Sequence, residues 1–218
     1  DPLFFEESYS VISDNNIPIN IRDFKANFFV ETLINKDISF KIGTTYSKLE
    51  IERSNPVFFD NSTSEINKIE DTNFTSLNIQ LKYDTLNNIF FPSSGILFQT
   101  NADLILSASK YNSYNQFLIL KTHIAKAFSI NKNVSVLYGI EGGSRIGDNN
   151  VSTLNFGLGG YSHNQINNYS SFFGYDFFSL SGDSYLKTYF NLDYEIVNNH
   201  HLNFITNFSN IGNTIFSD

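Results

Sequence analysis

The chain has 218 residues, 41% hydrophobic and 17% charged, with 14 basic against 22 acidic side chains and a net charge of −8. This length suits one domain, and the acidic balance argues against a nucleic-acid partner. With no cysteine there is no disulfide, thiolate metal site or cysteine nucleophile, and no apolar run reaches the ~18 residues of a membrane-spanning helix.

The chain opens with a weak alternation of apolar and polar residues over 4–12. Residues 24–32 place Phe24, Ala26, Phe28 and Val30 on one face and Lys25, Asn27 and Glu31 on the other. Residues 38–46 separate Ile38, Phe40, Ile42 and Tyr46 from Ser39, Lys41, Thr45 and the following Ser47. The clearest case is Leu77-Asn78-Ile79-Gln80-Leu81-Lys82-Tyr83-Asp84, followed by strand candidates at 96–107, 116–128 and 134–142. The pattern returns over 185–196, where Leu186, Thr188, Phe190, Leu192, Tyr194 and Ile196 oppose Lys187, Tyr189, Asn191, Asp193 and Glu195. Residues 202–210 complete eight strong candidates, with 4–12 as a ninth.

A period of two means one apolar and one polar face. Repeated strands of about ten residues fit a membrane-spanning barrel, because a tilted strand needs ~9–11 residues to cross the hydrocarbon. Aromatic residues, 23 Phe and 12 Tyr, are abundant enough for interfacial girdles. The competing explanation is a soluble, Phe-rich β-sandwich or adhesin. Short Asn-bearing turns at 35–37, 131–133 and 198–200 alternate with long polar segments at 52–73, 107–115 and 147–182. Barrels of the outer membrane show this alternation of short periplasmic turns and long external loops. The predicted fold is therefore all-β: an antiparallel transmembrane β-barrel domain over residues 1–218.

Tyr83-Asp84, followed by Pro92 and Gly95, resembles the strand–turn–strand signature of the bacterial surface-antigen superfamily of outer-membrane barrels, which includes the BamA and TamA insertases. Physically, Asp84 ends a strand, Pro92 fixes a turn, and Gly95 supplies left-handed geometry before the next strand. Leu86 stands where the family has Arg. Leu158-Gly159-Gly160, Phe173-Gly174-Tyr175, Ser181-Gly182 and Leu192-Asp193-Tyr194-Glu195 resemble, in that order, the surroundings of the family's long lumen-folded loop. The resemblance implies that residues 147–182 fold into the lumen with Gly174 and Tyr175 at the tip. Phe173 replaces the tip Arg, which puts the family's ion pair in doubt. Asp193 and Glu195 are the candidate lumen partners of the tip, and Lys121, His123 and Lys187 are expected in a wet interior network.

Within the superfamily, the stretch from Gly159 to Phe177 and Asp193-Tyr194-Glu195-Ile196 look most like barrels attached to patatin-like phospholipases of Bacteroidetes-type bacteria. That resemblance implies a hydrolase, a POTRA-like domain and a barrel of about sixteen strands. The function implied is an outer-membrane anchor or translocation domain whose catalytic domain is not in this chain. An insertase or translocation barrel is the alternative within the superfamily. A patatin nucleophile needs Gly-x-Ser-x-Gly, and the chain contains none. Gly142-Gly143-Ser144, Gly160-Tyr161-Ser162 and Gly182-Asp183-Ser184 all read as structural. No catalytic site, cofactor or metal is expected here; His123, His163, His200 and His201 lack ligand spacing, and 65–71 lacks EF-hand order.

Methionine is absent even at position 1, so the chain is expected to begin inside a longer gene product, and the irregular ending at 213–218 points to continuation. Eight or nine strands are about half of such a barrel. The expected partners are therefore outer-membrane lipid and, at the open edges, missing strands or another chain, a homodimer included. Residues 24–32 and 202–210 are not expected to pair with each other.

Overall fold

The computed structural model describes residues 2–12, 18–53, 67–109, 116–147, 154–161, 168–176 and 179–212. Nine strands form one antiparallel sheet: β1 (Pro2–Ile12), β2 (Pro18–Asn35), β3 (Ile38–Arg53), β4 (Asn67–Asp84), β5 (Gly95–Ala108), β6 (Phe117–Ser129), β7 (Val134–Gly147), β11 (Ser184–Val197) and β12 (His200–Gly212). Between β7 and β11 lie β8 (Phe156–Leu158), β9 (Tyr169–Ser170) and β10 (Leu180–Gly182). They make a second, three-stranded sheet in which β8 pairs antiparallel with β10 and parallel with β9.

Each main strand pairs with its neighbour in sequence, so the sheet is a meander. Three turns use side-chain oxygen or left-handed backbone to reverse the chain. Asn35 Oδ1 accepts from Asp37 N (2.8 Å) and Ile38 N (2.9 Å), and Asn131 Oδ1 accepts from Asn133 N and Val134 N (both 2.9 Å). Asn199 adopts φ 63° between β11 and β12, a region Asn tolerates better than most residues.

Alternation sorts the faces as the pattern requires. Outward residues include Phe28 (57% exposed), Ile79, Ile124, Phe190 and Phe204 (62%). Such a band of exposed apolar side chains is costly in water and favourable against lipid. Inward residues are polar near the middle of the wall and apolar toward the long connections, where Leu49, Phe74, Ile105, Phe117 and Tyr185 form the core with Phe156, Leu158 and Phe172 of the β7–β11 segment. A bulge in β5 sets Thr75 against Ser107 and Ser76 against Ile105, leaving Leu106 as an extra residue. Ile105 and Ala108 are therefore both buried in this core.

The structure differs from the sequence reading in two places. Residues 67–73, expected in a polar connection, belong to β4. The outward face there carries Asp71 and Asn73 while Thr72 and Phe74 are buried inside, so the usual apolar-out pattern has inverted beyond the lipid belt. The segment expected as one long polar loop also contains the small inner sheet, built from strands only two or three residues long. Among the described residues β2 pairs with β1 and β3, and β12 pairs only with β11, so 24–32 and 202–210 do not meet.

Candidate functional site in the barrel lumen

The site is the place where the β7–β11 segment docks on the inner wall. Glu141 on β7 is its hub. Four groups converge on its carboxylate: Lys121 Nζ of β6 at 3.0 Å, Lys187 Nζ of β11 at 2.7 Å, the Tyr185 hydroxyl at 2.6 Å and the Ser170 hydroxyl at 2.9 Å. Lys121, Glu141, Lys187 and Tyr185 come from three adjacent strands and all face inward, as their register and shared parity dictate. Ser170 comes from β9 of the docked segment.

The two lysines also hold the segment through its backbone. Lys121 Nζ donates to Tyr169 O (3.1 Å), and Lys187 Nζ donates to Ser171 O (3.2 Å) and to Ser170 Oγ. All three ammonium hydrogens of Lys187 thus have acceptors, which a buried cation requires. Tyr169, fully buried, donates its hydroxyl to Gly159 O inside the segment. A carboxylate saturated by two cations and two hydroxyls is an electrostatic bolt; it has no free lone pair for proton-transfer chemistry.

Glycines on β7 make the space. A Cβ on Gly143 would stand 2.6 Å from the rings of both Phe156 and Tyr185. Phe156 packs on Tyr185 with ring centroids 5.0 Å apart. Gly139 likewise leaves room for the Tyr189 ring. His123 Nε2 lies 2.8 Å from the Tyr189 hydroxyl, beside the network.

The sequence-predicted residues fall at separate places. Gly174 has φ +92°, and nothing lies within 4 Å of where its Cβ would be. Tyr175 is 52% exposed; its carbonyl accepts from Gly160 N at 2.7 Å and its ring lies 5.5 Å from Phe172. Phe173, at the position of the family's Arg, packs against Tyr161 at 5.3 Å. Asp193 and Glu195 lie at the other end of β11. There Asp193 pairs with His201 Nδ1 at 2.9 Å, and Glu195 Oε1 accepts from Asn199 N at 3.2 Å. The structure does not bring the tip pair and these two carboxylates together. Lys121 and Lys187 do share a network, but its acid is Glu141. One signal for Glu141 was present: it is the inward acid between Gly139 and Gly143, two residues away on the same face. Ser170 carried none.

His201 stacks on Phe91 with centroids 3.8 Å apart and planes 5° from parallel. Phe91 belongs to the connection bearing the strand–turn–strand signature. In that connection Asp84 Oδ1 accepts from Leu86 N (3.1 Å), Pro92 is buried, and Gly95 has φ +107°. Asn87 Oδ1 ties it shut by accepting from Ser93 N (2.9 Å) and Ser94 N (3.0 Å). His163 and Glu65 lie outside the described residues.

One antiparallel sheet with a lipid-type outer belt, a polar inner wall and a segment bolted inside defines an outer-membrane β-barrel wall. A soluble sandwich would bury its apolar alternate residues between two sheets, whereas this sheet presents them outward. Residues 3–218 match the OMP85 superfamily, and the chain belongs to it. Among solved structures the chain is similar to BamA from Haemophilus ducreyi lacking POTRA domains 1–3, with a TM-score of 0.70 and 12% identity. That match covers 98% of this chain but 46% of the other, so the chain spans less than half the length of that protein. Comparison with curated proteins yields no match. Membership places the chain in the bacterial outer membrane.

Proposed function

We propose that this chain is the barrel part of a patatin-like phospholipase, acting as the outer-membrane anchor and translocation domain for a hydrolase carried elsewhere in the polypeptide. The observation that carries the anchoring role is the outward band of exposed apolar side chains, Phe28, Ile79, Ile124, Phe190 and Phe204 among them, which lipid favours and water does not. The Glu141 bolt adds a segment held against the inner wall. The patatin branch is supported by the resemblance carried by Gly159-Gly160-Tyr161, Gly174-Tyr175-Asp176-Phe177 and Asp193-Tyr194-Glu195-Ile196.

Among the described residues the outer edges of β1 and β12 have no strand partner, and backbone groups exposed there cannot be satisfied by lipid, at a cost of about several kcal/mol each. Further strands of the parent polypeptide, or a second chain, cover them. The test is to purify the whole gene product from outer membranes and treat it with a fluorophosphonate that labels active-site serines. Labelling of the polypeptide that contains this barrel supports the phospholipase reading. An unlabelled polypeptide carrying several POTRA repeats would replace it with the insertase alternative.

A further inference from the structure

A second inner-wall feature lies beside the docked segment, across β2 to β6. It is a groove of about 310 Å³, within the size range of small-ligand sites. Six carboxamides line it: Asn27, Asn78, Gln80, Gln99, Asn101 and Asn168. We propose that this groove binds a neutral, hydroxyl-rich ligand, a short oligosaccharide.

The argument is one of charge and hydrogen-bond capacity. The charged groups around the groove are already engaged. Lys41 Nζ sits 3.6 Å over the Phe29 ring, Lys121 is paired with Glu141, and Asp103 Oδ1 accepts from Asn78 Nδ2 at 2.5 Å. An anionic ligand therefore meets Lys121 already held by Glu141 and Lys41 drawn onto the Phe29 ring, and a cationic one meets, among the described lining residues, the single carboxylate of Asp103, one oxygen of which already accepts from Asn78. An acyl chain would strand six amides without water. What remains is a surface where donors and acceptors alternate, since each carboxamide offers both. Sugar hydroxyls offer the same pair of capacities.

Three of the amides, Asn27, Asn78 and Asn168, are held in place. The Thr45 hydroxyl donates to Asn27 Oδ1 at 2.5 Å and lies 2.6 Å from Asn78 Oδ1, so β2 to β5 share one polar chain through Asp103. One acceptor is left over: Asn101 Oδ1 is buried with no hydrogen-bond partner among the described residues. Asn168 is held by donating to Leu154 O at 2.7 Å, and it directly precedes Tyr169, whose carbonyl Lys121 grips. A ligand here touches both the wall and the docked segment.

The experiment uses the full-length protein in a zwitterionic, sugar-free detergent with maltotriose as the probe, read by saturation-transfer difference NMR and calorimetry. Maltotriose should bind, and the Gln80→Leu/Gln99→Leu variant should weaken it about tenfold or more, the effect of losing two side-chain hydrogen bonds. Neither glutamine belongs to the chain from Asn27 to Asp103, so barrel folding, checked by heat-modified gel mobility, should be unchanged. An absence of saturation transfer to maltotriose would overturn the proposal. So would equal binding by the variant, or tighter binding of trigalacturonate than of maltotriose.

Discussion

Glu141 shows how much one inward carboxylate can decide. Removing it leaves Lys121 and Lys187 as neighbouring cations in a buried site, and breaking a buried ion pair from one side costs about 3–5 kcal/mol. Glu141→Ala should therefore lower the unfolding free energy, read from urea titration in detergent micelles, by that order. It should also make the 154–182 segment cleavable by added protease, while Glu141→Gln, which keeps an acceptor for Tyr185, should lose less. Unchanged protease resistance in Glu141→Ala would remove Glu141 as the bolt. Gly95 acts through the backbone instead. At φ +107° a Cβ would collide with the Thr85 carbonyl, so Gly95→Ala should cost at least ~1–3 kcal/mol and loosen the connection that carries Phe91. Phe91→Ala removes a stacked pair worth about 0.5–1.5 kcal/mol. Combined with His201→Ala it should cost less than the two single losses added together, which a double-mutant cycle in urea would measure.

At the scale of the strand, length and face explain where lipid ends. β2 and β4 each run 18 residues, well beyond the ~9–11 that cross the hydrocarbon. Their excess lies toward the long connections. There the outer face carries Arg22, Lys48, Glu50 and Asp71, with Lys48 Nζ 2.6 Å from Glu50 Oε1. On β2 to β4, charge on the outer face is thus confined to a zone beyond the apolar belt. Spin labels at Ile79, Phe190 and Leu192 should report lipid, and labels at Asn78, Gln80 and Asn191 should report water. Equal environments on both faces would contradict the barrel wall. A lysine at Phe190, within the belt, should cost about 2–4 kcal/mol of unfolding free energy, the penalty for a cation near the bilayer midplane. Glu50→Gln, beyond it, loses the surface pair to Lys48 and should change stability by under ~1 kcal/mol.

The whole molecule is a curved wall with something held against its inside. Phe91, on the connection after β4, reaches His201 at the start of β12, five strand positions across the sheet. That contact requires the sheet to curl back on itself. The free edges are the other global feature, and covered edges should protect their amides. In the whole gene product in membranes, the backbone amides of 200–212 should exchange with deuterium as slowly as those of 184–197; rapid exchange on β12 alone would mean that its edge is open.

The period of two, the face each residue takes and the Asn-bearing turns could be read from the residues alone, because these depend on neighbours one to four positions apart. Leu77 to Asp84 and Leu186 to Ile196 could be assigned to lipid or lumen without any structure. The motif at Tyr83, Asp84, Pro92 and Gly95 was equally local. Tertiary structure alone decided which inward residues meet. Lys121 and Lys187 were legible as interior cations, but Lys121, Glu141, Ser170 and Lys187 span 66 positions of sequence between first and last, and the acid those cations share is decided only when register and curvature set the four together. The same holds for 67–73, whose strand is maintained by backbone pairing to β3 after its outward apolar pattern has ended. Local alternation reports which medium a side chain faces. Its partner is set by the register and curvature of the sheet, properties no short window of sequence contains.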